Sequence, residues 1–102
     1  MVALEISHHE HGHVVVKGDL SFAHIHKKIV KAIDFGHSRY SHEVNIDLSE
    51  VNQSDSAGLA LMIEWIKLSK LHNTKVSFSH IPEQLLTLAK LSGLEDNEYF
   101  IK

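Results

Sequence analysis

The chain is 102 residues long, about the size of one domain, and its 43% hydrophobic and 23% charged content is that of a folded chain and excludes a disordered one. It contains no cysteine, which rules out disulfides and thiolate metal sites and agrees with a reducing compartment. Ten Lys and Arg against 13 Asp and Glu leave a formal net charge of -3, which disfavours a nucleic-acid partner, because phosphate-backbone binding needs clustered positive charge.

In chain order, the start MVALEISHHEHGHVVV lacks the basic region and continuous apolar stretch of a signal peptide. No apolar run approaches the roughly 18 residues that span a bilayer. The expectation is a cytoplasmic protein with no direct membrane insertion. Ala3–Ser7 alternates apolar and polar and reads as a strand, followed by a polar turn at His8–Gly12 and a second, β-branched strand at His13–Lys17, closed by Gly18-Asp19-Leu20. Ser21 suits the N-cap of a helix over about Phe22–Phe35, whose Phe22, Ile25, Ile29, Ala32 and Ile33 recur at the spacing of one buried face, with Gly36 ending it. His37–Glu43 reads as a loop, Val44–Leu48 as a strand, Ser49–Ser54 as a polar loop, and Ser56–Leu71 as a helix. His72–Thr74 is a turn, Lys75–Ser79 a strand, and Pro82–Leu91 a last helix stopped by Ser92-Gly93; Asp96–Lys102 is a tail that adds a short final strand at most. Residues 1–102 thus form a single α/β domain of order β-β-α-β-α-β-α. Its sheet is mixed and four- or five-stranded, with three main helices packed mainly on one face.

The segment with chemistry in it joins a strand to a helix: Asp47-Leu48-Ser49, then Ser54-Asp55-Ser56-Ala57-Gly58-Leu59. A helix start offers unpaired N–H groups and the positive end of the helix dipole, so it suits an anion or a capping oxygen. A phosphorylated hydroxyl there would gain close to two negative charges, and Asp55 and Asp47 would make the place charge-sensitive. On composition alone, Asp, Ser and Gly are simply the residues that start helices. The motif nevertheless resembles that of the STAS domain family, whose hallmark is an Asp-Ser/Thr-Ser/Ala/Thr-Gly-Leu turn after a strand ending in Asp-Leu. Gly18-Asp19-Leu20 resembles the end of that family's second strand, and the element order agrees along nearly the whole chain.

Within the family, Ala57-Gly58-Leu59-Ala60-Leu61 and the segment Pro82–Leu94 are most similar to the STAS subunit of the Mla phospholipid ABC transporter. Members that antagonise anti-sigma factors more often carry Ser/Thr-Gly-Leu-Gly in the turn. The resemblance implies a non-catalytic, cofactor-free subunit that regulates the transporter's ATPase from the inner face of the inner membrane. It places partner contacts at Asp55, Ser56, Ala57 and Gly58. The alternative it implies is an anti-anti-sigma factor whose partner is an anti-sigma kinase and whose switch is phosphorylation of Ser56. Ala57 is not a hydroxyl, so Ser56 is the acceptor in that turn.

From Ala57 to Leu71, ten of fifteen residues are apolar, about twice what one core-facing stripe needs. Leu59, Met62, Ile63 and Ile66 form one stripe; Ala57, Leu61, Trp65 and Leu68 form a second, about 100° or more away. Either the helix is sandwiched, with the last helix over Trp65, or the second stripe, led by Leu61 and Trp65, is a partner-binding face. A partner-binding face at Leu61 and Trp65 is the expectation.

His8, His9, His11 and His13 alternate with turn residues and do not converge as metal ligands must, and His24 and His26 point apart on a helix, so no metal site is expected. A hydrolase is disfavoured too: there is no Gly-x-Ser-x-Gly elbow and no glycine-rich phosphate loop.

Overall fold

In the computed structural model, residues 4–25, 27–33, 35 and 43–93 are described. Alternation in three strands builds one wall of the core. Val14 and Val16, then Val44, Ile46 and Leu48, then Val76 and Phe78 are all buried on one side of the sheet. Their neighbours His13, Val15, Asn45, Asp47, Ser77 and Ser79 face the other way and are half-buried. The elements are β1 (Glu5–His8), β2 (His13–Leu20), α1 (Lys27–Val30), β3 (Glu43–Ser54), α2 (Ser56–Leu71), β4 (Lys75–Ser79) and α3 (Glu83–Leu91), with a 3-10 turn at Glu10–Gly12. The strand order is β1-β2-β3-β4, with β1 antiparallel to β2 and both other pairings parallel. The mixed sheet and its helices on the apolar face agree with the fold class expected from sequence. No helix among the described residues is long and apolar enough to cross a membrane.

Helix α2 runs over the residues expected, and so does β4. Pro82 occupies the N-cap position of helix α3 without a side-chain hydrogen bond, and Gly93 follows the helix at φ +76, the left-handed position that a helix end often needs. Three expectations need correction. First, β2 continues through Gly18-Asp19-Leu20 rather than ending there. Secondly, Ser49–Ser54 is strand, not loop. From Val15 to Lys17 on β2 the paired residues of β3 advance from Asp47 to Glu50, and from Gly18 to Asp19 they advance from Val51 to Gln53. Each step inserts one extra β3 residue, and such bulges break the two-residue alternation that marks a strand in sequence.

Thirdly, the helix expected over Phe22–Phe35 is reduced to α1, preceded by a turn at 22–24. Ser21 makes a single turn, its carbonyl accepting from the His24 amide at 2.9 Å. Ile33 is buried as the pattern required and Phe35 is buried as well, but Phe22 is 82% exposed. The β-branched and His-rich composition of the segment gives little intrinsic helix preference to oppose this. Gly36, most of the loop His37–Glu43 and the tail Asp96–Lys102 lie outside the described residues.

Candidate functional site

The turn between β3 and α2 is built by one carboxylate. Asp55 is the N-cap: its Oδ1 accepts from the amides of Ala57 at 2.9 Å and Gly58 at 3.4 Å. Its Oδ2 accepts from the Phe22 amide at 3.0 Å, and its own amide donates to the Leu20 carbonyl at 3.3 Å. The start of α2 is therefore stitched to the segment leaving β2, and the Asp55 charge is spent on backbone donors. A group arriving at this turn meets the dipole of a 16-residue helix instead of a bare carboxylate.

Gly58 is buried against the same segment. A Cβ built on it would lie 2.6 Å from the Leu20 carbonyl oxygen and 3.0 Å from Leu20 Cγ. This closeness lets the turn sit down on the end of β2. Ser56 is the first helical residue and is exposed, while Ala57 is half-buried. Ser54, buried, donates from its hydroxyl to Gln84 Oε1 at 3.4 Å, which brings the start of α3 alongside. Of the sequence candidates, then, Asp55 and Gly58 shape the turn, and Ser56 and Ala57 are the residues it presents.

Leu61 and Trp65 are not presented. They are 3% and 0% exposed, and the Trp65 indole N–H donates to the Val30 carbonyl at 3.1 Å. The second apolar stripe of α2 is therefore core at Leu61 and Trp65, as the sandwiched alternative supposed, and α1 meets it through the Val30 carbonyl. The free face of α2 is instead Ser56, Ala60, Glu64, Lys67 and Leu71, which recur every three or four residues and are all exposed.

Asp47 is not part of the turn either. It sits mid-strand on the open sheet face, and β3 continues beyond it to Ser54. Its Oδ1 lies 3.1 Å from His80 Nδ1 and accepts from the Ser49 amide at 2.8 Å, and its Oδ2 lies 3.6 Å from His13 Nε2. Beside it, Asn45 Nδ2 donates to Ser77 Oγ at 3.0 Å, and Ser79 Oγ donates to Asn45 Oδ1 at 3.0 Å. Partial burial works to raise the Asp47 pKa, but hydrogen bonds from the Ser49 amide and hydroxyl, and the charge and hydrogen bond of His80, outweigh it and hold the carboxyl below its ordinary range. The unfolded chain then binds this proton more tightly than the folded one. The resulting stability is present above the ordinary aspartate pKa and is lost as pH falls through the native value. Thermal melts between pH 6 and about 2.5 should show the advantage of the wild type over Asp47→Asn shrinking below about pH 4.

The N-terminal histidines disperse. His8 Nε2 approaches the Ala32 carbonyl at 3.1 Å, His9 Nε2 approaches Ser7 Oγ at 3.2 Å, and His13 reaches Asp47. Among the described residues no group of three or more His, Asp or Glu side chains converges as a metal site. Sequence reasoning missed the exposed Phe22 and the Leu20–Gly58 contact. The one signal for the contact was a glycine in the first turn of a helix, where alanine would otherwise be preferred.

A family model described as Mlab, STAS domain matches residues 4–102. The chain is 41% identical over 49 residues to the intermembrane phospholipid transport system binding protein MlaB of Escherichia coli (strain K12), covering 48% of this chain and 50% of that protein. It is 40% identical over 53 residues to the protein of the same description from Haemophilus influenzae, covering 52% of this chain and 50% of that one. The matches span about half the length of these relatives. The fold is shared with the anti-sigma factor antagonist SpoIIAA in its unphosphorylated form, at a TM-score of 0.59 and 12% identity, over 98% of this chain and 88% of the other.

Proposed function

This chain belongs to the family of MlaB-type STAS domains, and from that premise we propose that it is a non-catalytic subunit that docks on and regulates the ATPase of a phospholipid ABC transporter at the inner face of the inner membrane. The observation that carries the reading is the exposed Ser56 on a turn locked from behind by Asp55 and Gly58. A surface whose backbone is already ordered loses little further freedom on binding, which favours recognition by a rigid partner. The contact runs from Ser56 and Ala57 along Ala60 and Glu64 of the free α2 face. Docking here leaves the core untouched, so the domain can hold the ATPase in its assembled form without chemistry of its own.

Ser56→Glu tests the reading. A carboxylate at the first helical position is tolerated, because the helix dipole favours negative charge there, so the melting temperature should stay level or rise slightly. Co-purification with the ATPase subunit expressed alongside should be lost, since the charge would be buried without a partner. Full capture of the ATPase by Ser56→Glu would refute the docking turn.

A second reading has a specific observation in its favour: Ser56 is an exposed hydroxyl at a helix N-terminus, as a phosphorylation switch requires. The partner is then an anti-sigma kinase. Incubation with candidate kinases and mass spectrometry separates the two, stoichiometric phosphate on Ser56 favouring the switch.

A further inference from the structure

We infer that Phe22 is the aromatic anchor of the docking surface, entering an apolar socket with an acidic rim on the ATPase partner beside Ser56. The inference rests on the docking reading above and deepens it. Phe22 is 82% exposed although its segment is otherwise built to bury apolar groups: Ile33 and Phe35 are at 2% and 3%, and Ile25 and Ile29 are partly buried.

The turn itself has no use for the ring. What Asp55 takes from residue 22 is the backbone amide, at 3.0 Å, and any residue but proline would supply it. A polar side chain would serve the fold equally well and avoid the cost of an aromatic in water. The ring is also carried on a stiff base. The Leu20 carbonyl receives the Asp55 amide, the Ser21 carbonyl receives the His24 amide, and Gly58 presses on Leu20 from α2. A single exposed Phe is ordinary on a protein surface. One clamped through its own amide to the residue next to Ser56 shares a rigid frame with the docking hydroxyl, and preorganised aromatics of this kind carry interface affinity at low entropic cost.

Charge identifies the socket. Five residues on, α1 presents the exposed Lys27 and Lys28, with Lys31 exposed just after it. A partner surface that receives Phe22 is therefore complementary if acidic groups surround its apolar centre. The competing occupant of an aromatic beside lysines is an anionic bilayer, and the experiment separates the two.

The Kd for the purified ATPase subunit is measured for the wild type, Phe22→Ala, Phe22→Leu and the double variant Lys27→Glu/Lys28→Glu, with Ser56→Glu as the reference for the docking turn. Sedimentation with phosphatidylglycerol vesicles and thermal melts are run on the same proteins. The expected result is a Kd about tenfold or more higher for Phe22→Ala, largely restored in Phe22→Leu and also raised in the lysine double variant. Melting temperatures should stay within a few degrees of the wild type. Wild-type affinity in Phe22→Ala together with loss in Ser56→Glu overturns the anchor and leaves the docking reading standing. A fall in melting temperature that accounts for the lost affinity makes Phe22 structural and overturns the anchor. So does a loss of vesicle binding with ATPase affinity unchanged. No affinity in the wild type overturns both the docking reading and the anchor.

Discussion

Trp65→Ala is expected to cost about 3–5 kcal/mol, the range for truncating a large buried aromatic. A domain of this size holds only about 5–15 kcal/mol in total, so the variant should sit close to its unfolding threshold. The side chain is fully buried in the core cluster, and its N–H is the donor to the Val30 carbonyl. Truncation therefore opens a cavity between α1 and α2 and strips that carbonyl of its partner. Trp65→Phe fills most of the space but still lacks the donor, so an intermediate loss of about 1–3 kcal/mol is expected. Urea denaturation followed by circular dichroism measures both; Trp65 is the one tryptophan of the chain, so its fluorescence is removed by the substitutions themselves. A variant that melted like the wild type while losing the ATPase would put Trp65 on the surface and reverse the assignment of the second α2 stripe.

Gly58→Ala should be destabilising, against the ordinary rule. In a helix interior that exchange usually stabilises by about 0.5–1 kcal/mol. Here the new methyl would meet a backbone oxygen at 2.6 Å, and a carbonyl cannot swing aside as a side-chain tip does. Relief requires the Leu20 segment and the start of α2 to part, which strains the hydrogen bonds from the Asp55 N–H to the Leu20 carbonyl and from the Phe22 N–H to the Asp55 carboxylate. A net loss of about 1–3 kcal/mol is expected from overpacking. Because the frame shared by Phe22 and Ser56 opens with it, partner affinity should fall more than stability alone accounts for. A stabilised Gly58→Ala with normal binding would show that the close approach has no role.

Both outcomes turn on contacts between residues far apart in the chain, and the sequence was legible only up to that point. Local signals placed α2, β4 and α3 because each depends on spacing and punctuation within one short stretch: apolar residues every three or four positions, strict alternation in Lys75–Ser79, and Pro82 and Gly93 at the two ends. The Asp55–Leu59 turn was legible for the same reason, since a cap, a hydroxyl and a glycine are neighbours in sequence. The doubled strip of apolar residues on α2 was visible as a surplus, but spacing could not say what covered it. Part of the cover comes from α1, whose Val30 carbonyl receives the Trp65 indole and whose stretch reads from sequence as a longer helix. Strand β3 shows only its first half in sequence, because two bulges, defined only by its register with β2, scramble the alternation of the rest.

Local residue order is enough to specify an α/β chain with a capped turn at Asp55-Ser56 and a strongly apolar helix behind it, because backbone propensity and hydrophobic period are written in adjacent residues. Tertiary structure alone decided that Leu61 and Trp65 are core, that Asp47 serves the open sheet face, and that Phe22 is left in solvent beside Ser56. Burial and ion pairing depend on which distant segments arrive at a side chain, and that is a property of packing, not of order along the chain.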